Sequence, residues 1–160
     1  MNMTSIRRLA ALIILATASA MPALAADTTP AASPAADRLA PARALIADGK
    51  WRDAIEALKQ VNDSGSADWN NLMGYSHRKA KTPDLAAAER YYDTALRIDA
   101  KHKGALEYSG ELYLMLGNLP KAQARLAALE GVCGKGCEEH KDLAAEIGRY
   151  QANGNRYLPK

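Results

Sequence analysis

A step of 34 residues orders the small and large apolar side chains of this chain. Three alanines stand in this register: Ala54, Ala88 and Ala122. The apolar positions four and seven residues after each alanine recur as well: Leu58, Tyr92 and Leu126, then Val61, Ala95 and Leu129. Residues at these intervals share one face of a helix, so each unit contains a helix with one buried stripe. The register predicts an all-α fold built from repeated units.

A residue that ends helices precedes each buried stripe. Gly49, Pro83 and Gly117 follow the same 34-residue step. Such a breaker separates the recurring helix from a leading helix before it. Pro83 replaces a glycine and lies in a longer connection, which predicts a turn at 80–82 with Pro83 as the first residue of the next helix, a position that tolerates proline.

Two glycines fall inside the leading helices, where glycine costs about 1 kcal/mol relative to alanine. They are Gly74 and Gly110. Close approach of a partner helix is the simplest reason for a glycine at such a position. The two glycines therefore predict tight helix–helix contacts.

These features resemble the tetratricopeptide repeat (TPR), whose units are 34-residue helix–turn–helix pairs. The resemblance covers residues 35–131 and is closest at Gly110, Tyr113, Gly117 and Ala122. It implies an α-α superhelix with repeats at about 35–66, 67–102 and 103–136. A solenoid's last unit needs a cap, and the helical spacing of apolar residues predicts a capping helix over 138–150 and a flexible tail over 151–160.

The resemblance also implies where a partner binds, because the leading helices of TPR proteins line a concave groove that accepts peptide segments. It implies a monomeric, non-enzymatic adaptor for another protein. The implied groove residues are Arg43, Asn71, Tyr75, Arg78, Glu107 and Glu111, with Asp68, Leu114 and Met115 beside them. Asp68 could instead cap its helix, and each side chain could belong to an ordinary solvated face. Tyr91 and Tyr108 are predicted as core residues.

The start of the chain has the layout of a secretory signal. Arg7 and Arg8 precede a short apolar run at 9–20, and small residues at 23–25 suit a signal peptidase. The run is shorter than the roughly 20 residues that span a bilayer. We therefore predict a cleaved signal at 1–25, a periplasmic or secreted product without stable membrane insertion, and a flexible linker at 26–37.

Charge and motifs exclude several classes of function. The formal net charge of +3 includes Arg7 and Arg8, so only +1 stays on the mature chain. No cluster of Lys and Arg indicates nucleic-acid binding. The sequence also lacks a nucleophile elbow and a phosphate-binding glycine loop, so no catalytic residue or cofactor is predicted.

Cys133 and Cys137 form the one local motif with possible reactivity. In an oxidising compartment these thiols should close into a disulfide, and the glycines between them free the backbone to do so. Such a disulfide would fix the turn between the last repeat and its cap. The alternative adds His140 to make a copper or zinc site, or a thiol-redox centre. Structural zinc usually takes four ligands, and the sequence offers no fourth nearby.

Overall fold

The computed structural model describes residues 37–158, in which all regular secondary structure is α-helical. The all-α prediction is therefore confirmed for this range. The predicted signal at 1–25 and residues 26–36 of the predicted linker lie outside the described residues. The helices are α1 (Ala40–Ala47), α2 (Trp51–Val61), α3 (Ala67–Lys79), α4 (Leu85–Ile98), α5 (Lys103–Met115), α6 (Leu119–Cys133) and α7 (Glu138–Ala152).

Each helix packs against the helix that follows it in the chain, most extensively α3 against α4 and α5 against α6. The odd-numbered helices also touch one another in order, α1 with α3, α3 with α5, and α5 with α7. The side chains of the odd-numbered helices can therefore meet along a common surface. That surface contains most of the residues that the sequence placed in a groove.

Glycine ends two of the leading helices in the same way. Gly49 and Gly117 have φ values of 70° and 72°, in the left-handed region that favours glycine. The amides of Lys50 and Asn118 donate to the carbonyls of Leu45 and Tyr113, at 2.8 and 2.7 Å. These bonds form the Schellman motif, which satisfies carbonyls left free at a helix end.

The connection after α3 differs, and here the prediction for Pro83 is wrong. Helix α4 begins at Leu85, two residues after the proline. Asp84 caps it, because its side chain accepts a hydrogen bond of 2.9 Å from the amide of Ala87. A side-chain cap outcompetes proline as the start signal here, and the turn extends through 80–84.

The alanines of the 34-residue register lie at helix contacts. Ala54, Ala88 and Ala122 are each 0% exposed. Large residues of the same stripes fill the space around them, and Leu58, Tyr92 and Leu129 are also 0% exposed. Burial of these side chains is the main driving force for helix packing.

Both helical glycines sit where another helix comes close. A Cβ atom on Gly74 would lie 2.8 Å from the ring of Tyr92 in α4. A Cβ atom on Gly110 would lie 2.5 Å from a methyl carbon of Leu143 in α7. Each glycine thus makes room for a fully buried side chain, and the neighbour of Gly110 is the last helix, α7.

Helix α7 covers the end of the helical array. Leu143, Ile147 and Tyr150 pack in one cluster with Ala122 and Leu129 of α6. The chain then turns at Gly154, which also has a positive φ (67°), and the half-buried Tyr157 packs against the same cluster. Among residues 37–158, no helix is long and apolar enough to cross a membrane.

Candidate functional site

Helices α3 and α5 meet along a row of polar and aromatic side chains, which we call the polar seam. It comprises Asp68, Asn71, Tyr75 and Arg78 from α3, and His102, Gly104, Glu107, Tyr108 and Glu111 from the start and body of α5. Positions on α3 contact positions on α5 in successive pairs. The seam is therefore a series of paired contacts between α3 and α5. The apolar 34-residue register does not predict these contacts.

The first pair joins the starts of the two helices. The Nδ1 atom of His102 accepts the amide hydrogen of Ala105 at 3.1 Å and so caps α5. The other ring nitrogen, Nε2, is then the donor to the Oδ1 atom of Asp68, 2.9 Å away. The hydrogen bond from His102 lowers the pKa of Asp68, and the nearby guanidinium of Arg43 contributes further. Arg43 of α1 lies 3.3 Å from the same carboxylate.

Aromatic rings form the middle of the seam. The rings of Tyr75 and Tyr108 are 4.5 Å apart between centroids. Trp51 of α2 meets Tyr75 edge to face at 5.8 Å. Both tyrosines are half-buried, and amphipathic rings that are partly open to solvent are common anchors at protein interfaces.

A buried ion pair closes the far end of the seam. Arg78 is 3% exposed, and one of its terminal nitrogens lies 2.7 Å from the carboxylate of Glu111. Its Nε atom donates a hydrogen bond of 3.4 Å to the hydroxyl of Tyr92. The guanidinium carbon also lies 5.3 and 5.6 Å from the ring centres of Tyr75 and Tyr108. Arg78 is thus fully engaged within the fold.

Two acceptors on the seam have no such partner. Glu107 is 7% exposed, yet its carboxylate makes no hydrogen bond or ion pair within residues 37–158. Burial raises its pKa to about 8, helped by the negative charges of Glu111, Asp142 and Glu139. The Oδ1 atom of Asn71 is enclosed and also lacks a hydrogen-bond partner. Uncompensated buried polar groups are costly. Among the described residues, Ser76 Oγ and Arg125 Nε are also enclosed without a hydrogen-bond partner.

The structure sorts the predicted groove residues into three groups. Arg43 is exposed and ion-paired, and Tyr75 is half-buried among rings. Four others are buried on the seam: Asn71, Arg78, Glu107 and Glu111. Leu114 is 1% exposed within the core cluster around α7, so its prediction as a groove residue is wrong. Leu114 packs in the same cluster as Leu143 and Ile147 of α7.

Sequence reasoning missed three members of the seam: His102, Gly104 and Tyr108. Tyr108 was predicted as core, and His102 was given no role on the groove. A second periodicity could have found Tyr108, because Asn71 and Gly104, Tyr75 and Tyr108, and Arg78 and Glu111 are each 33 residues apart. These three pairs are one residue closer in sequence than the repeat length, whereas Asp68 and His102 at the start of the seam are 34 residues apart.

The C-terminal segment approaches the far end of the seam. A cavity of about 430 Å³ lies between this segment and the ends of α5 and α7, lined by Met115, Tyr150 and Tyr157 among others. Burial lowers the pKa of the Arg78 guanidinium, but Tyr92, Glu111 and, more weakly, Tyr157 raise it, and the net pKa is raised. The seam is therefore bounded at this end by the chain itself.

The cysteines form a separate site between α6 and α7. Cys133 and Cys137 are joined in a disulfide with their Cα atoms 5.9 Å apart, which confirms the predicted pairing. The alternative metal set with His140 is not assembled, because His140 is buried in α7 and the acid within 4.8 Å of both sulfurs is Glu139. Glu139 is in turn 2.7 Å from Lys103.

The described geometry supports recognition through charge, hydrogen bonds and rings. The seam offers one enclosed acceptor without a partner, a buried acid without an ion pair, two half-buried tyrosines and the ion pair of Arg78 with Glu111. At the cysteine site, both sulfurs are used in the disulfide. No protein-family model, curated protein or solved structure matched this chain.

Proposed function

We propose that this chain is a small exported TPR domain that binds a segment of another polypeptide along the polar seam. The 34-residue register and the contacts among the odd-numbered helices support a TPR arrangement. In that arrangement the odd-numbered helices are the leading helices, and their shared surface is the concave one. The domain acts as a non-enzymatic adaptor in the periplasm or outside the cell.

One observation carries this proposal above all. Glu107 and Asn71 are more than nine-tenths buried. The Asn71 Oδ1 atom is enclosed without a hydrogen-bond partner, and the Glu107 carboxylate forms no ion pair among the described residues. An unsatisfied buried polar group costs about 1 to 3 kcal/mol. A bound polypeptide that supplies donors would recover part of this free energy, so the seam favours a partner.

The ordinary alternative is that the seam only holds α3 and α5 together. The pair of Arg78 and Glu111 fits that role, because each charge is matched inside the fold. Glu107 does not fit it, since a glutamine or an apolar residue at this position would stabilise the helix contact better than an unpaired acid. The tyrosines add a contact surface beside the unpaired acid.

Site-specific photo-crosslinking in intact cells tests the proposal. A photoreactive amino acid replaces Tyr75 on the seam, and in a matched variant it replaces Gln123, an exposed residue of α6. We expect a polypeptide adduct of defined mass from the seam position and none from the control. Absence of an adduct at Tyr75, or equal adducts at both positions, would contradict the proposal.

A second candidate function is thiol or soft-metal handling at Cys133 and Cys137. It is favoured by the cluster of both sulfurs with the carboxylate of Glu139. The disulfide and the ion pair of Glu139 with Lys103 oppose it in the oxidised chain. Mass measurement of freshly isolated protein with and without reductant, together with metal analysis, separates the two. Free thiols or a stoichiometric metal would support the second candidate.

A further inference from the structure

We propose that the gap between α2 and α4 is a second binding groove, which takes an acidic segment of a polypeptide with an apolar side chain beside its carboxylate. This inference goes beyond the proposed function, because the gap lies on a different face of α3 from the polar seam. Asn70 and His77 of α3 line the gap. The seam residues Asn71 and Arg78 each follow one of them in the chain, which is about 100° of rotation around the helix.

The gap exists because α2 and α4 both pack on α3 but not on each other. A cavity of about 570 Å³ lies between them. We call this cavity and its walls the α2–α4 groove. The residues of its lining that matter for binding come from all three helices: Lys59, Trp69, His77, Ala87, Arg90 and Tyr91.

The equivalent gap 34 residues later, between α4 and α6, is bridged by the chain itself. Lys121 lies 3.3 Å from Glu89, and Arg125 lies 3.4 Å from Asp93. Lys121 and Arg125 also lie over the ring of Tyr113 in α5, 4.6 and 5.6 Å from its centre. Two ion pairs therefore cross that gap, above a ring of the helix beneath.

These bridges are missing between α2 and α4. At the positions 34 residues before the two ion pairs, the sequence has Ile55 with Ala87 and Lys59 with Tyr91. No ion pair or hydrogen bond joins α2 to α4 in the described part of the chain. Lys59, Ala87 and Tyr91 line the cavity instead. The groove is therefore open to an external ligand at the place where the next repeat closes itself.

Aromatic side chains form the apolar part of the groove. The ring of Tyr91 stacks on that of His77 at 5.5 Å between centres and meets Trp69 edge to face at 5.9 Å. A hydrogen bond of 2.7 Å to the carbonyl of Leu58 fixes the Trp69 indole. Tyr91 and His77 are only half-buried. Rings that are fixed in place and partly accessible suit an apolar side chain of a ligand.

Charge at the rim of the groove favours an acid. Arg90 is exposed, and its guanidinium has no ion pair or hydrogen bond in the described chain. Lys59 also lines the cavity, although Glu56 pairs with it at 2.9 Å. Asp84, the acid of the lining, accepts a backbone amide as the cap of α4. Burial lowers the pKa of His77, Asp84 opposes this shift, and Lys59 and Arg90 lower it further. Arg90 is thus the cation available to a ligand's carboxylate.

A second cavity extends the site towards the start of α2. His77 lines it too, together with Trp51 and Ile55, and its volume is about 560 Å³. Lys81 is its exposed cation without an ion pair in the described chain, whereas its other charged residues are engaged in ion pairs. Two cavities that share a lining residue suit an extended chain, whose successive side chains can enter each of them, better than one compact molecule.

Isothermal titration calorimetry of the full-length protein at low salt, with short acetylated and amidated peptides, tests this groove. The probe peptide alternates glutamate with leucine. Three related peptides replace its glutamates by glutamine, its glutamates by lysine, or its leucines by serine, and phenylacetate is the compact anionic ligand. The protein variants are Arg90→Gln and the exposed control Lys141→Gln on α7. A double variant, Lys59→Asp with Tyr91→Arg, copies one ion pair of the α4–α6 gap into the groove.

We expect the glutamate–leucine peptide to bind the wild type at least about tenfold more tightly than phenylacetate and each related peptide. Arg90→Gln should weaken this binding about fivefold, because it removes the available cation but leaves the rings in place. Lys141→Gln should leave the affinity unchanged. The double variant should lose binding while circular dichroism shows wild-type helicity, because its new ion pair closes the groove.

No measurable binding of the glutamate–leucine peptide, equal affinity for the glutamine peptide, or an unchanged affinity in Arg90→Gln would overturn the acidic groove. Equal losses in Arg90→Gln and Lys141→Gln would overturn it as well. Phenylacetate binding as tight as that of the peptide would overturn a polypeptide as the occupant. If the double variant loses helicity, the exposed substitution Arg90→Gln decides. Photo-crosslinking at Tyr75 reports on another face of α3, so failure of this groove leaves the seam proposal standing.

Discussion

Helices α3 and α5 each have two buried sides with opposite chemistry. Towards α4, the packing is apolar and close, with Ala88, Tyr92 and Leu112 each 0% exposed. Towards each other, the helices bury Arg78, Glu107 and Glu111. On the apolar side, the side chains pack fully against other residues of the chain. On the seam, only some of the polar side chains have partners within the chain.

The comparison separates the apolar contacts that stabilise the fold from the polar groups that the fold leaves without partners. Apolar contacts have no directional requirements, so a 34-residue register of small and large residues is sufficient to build them. Polar groups need partners with defined geometry. Arg78 contacts four side chains, Glu111, Tyr92, Tyr75 and Tyr108, whereas Glu107 forms no hydrogen bond or ion pair among the described residues. The following substitutions compare the contributions of the two sides to stability.

Arg78→Met should give the largest effect. It leaves the carboxylate of Glu111 buried without its cation, which costs about 3 to 5 kcal/mol. Urea denaturation followed by circular dichroism measures the loss in the free energy of unfolding. The double variant Arg78→Met with Glu111→Leu should recover most of it, and Lys59→Met, which removes an exposed ion pair with Glu56, should change stability by less than about 0.5 kcal/mol. A mild effect of Arg78→Met alone would mean that Glu111 is not buried as described.

Gly110→Ala should weaken the apolar side. The new methyl group would overlap the buried side chain of Leu143, and overpacking of this kind costs about 2 kcal/mol even after the gain in helix propensity. Gly148→Ala on α7 is the matched control, since no atom lies within 4 Å of its added Cβ. It should raise stability by about 0.5 to 1 kcal/mol. Thermal unfolding measures both effects. Equal effects from the two substitutions would contradict the close approach of α5 and α7 at Gly110.

Glu107→Gln should change how stability depends on pH. The pKa of Glu107 is about 8 in the folded chain and 4.5 for an ordinary glutamate, so between these values the folded chain holds a proton that the unfolded chain has released. Wild-type stability is therefore highest below about pH 4.5 with respect to this group and falls as pH rises towards 8. We expect Glu107→Gln to be more stable than wild type by about 1 to 2 kcal/mol at about pH 8.

The comparison at about pH 5 completes this test, because wild-type Glu107 is then mostly protonated when folded. The two proteins should differ little there in urea denaturation. A constant difference between them at both pH values would show that Glu107 does not titrate in the window between its ordinary and its raised pKa.

Arg43→Ala should give the smallest effect. Its guanidinium is 45% exposed and bridges Asp37 and Asp68. Exposed ion pairs contribute about 0 to 1 kcal/mol and are screened by salt. We expect a loss below about 0.5 kcal/mol in urea denaturation, which disappears at high salt. A loss as large as that of Arg78→Met would place this end of the seam inside the core.

Sequence reasoning reached the apolar side more completely than the seam. The register of Ala54, Ala88 and Ala122 and the two helical glycines specify helices and their contacts, because small residues recur wherever two helices come close. The isolation of Glu107 could not be foreseen, since it depends on which residues of α7 face it and on the engagement of Arg78 by Glu111. The Pro83 prediction failed because the capping strength of Asp84 was not weighed against it.

The ionisation of Glu107 is the most direct test of whether this buried acid lacks a cationic partner on the seam. Carbon-13 NMR of the glutamate carboxyl groups in the full-length protein, with Glu107 assigned from the Glu107→Gln variant, follows this one group through a pH titration. A midpoint near pH 8 is the expected result for a buried acid without a cationic partner. A midpoint near the ordinary value of 4.5 would show that Glu107 is solvated or paired, and would contradict the account of the seam.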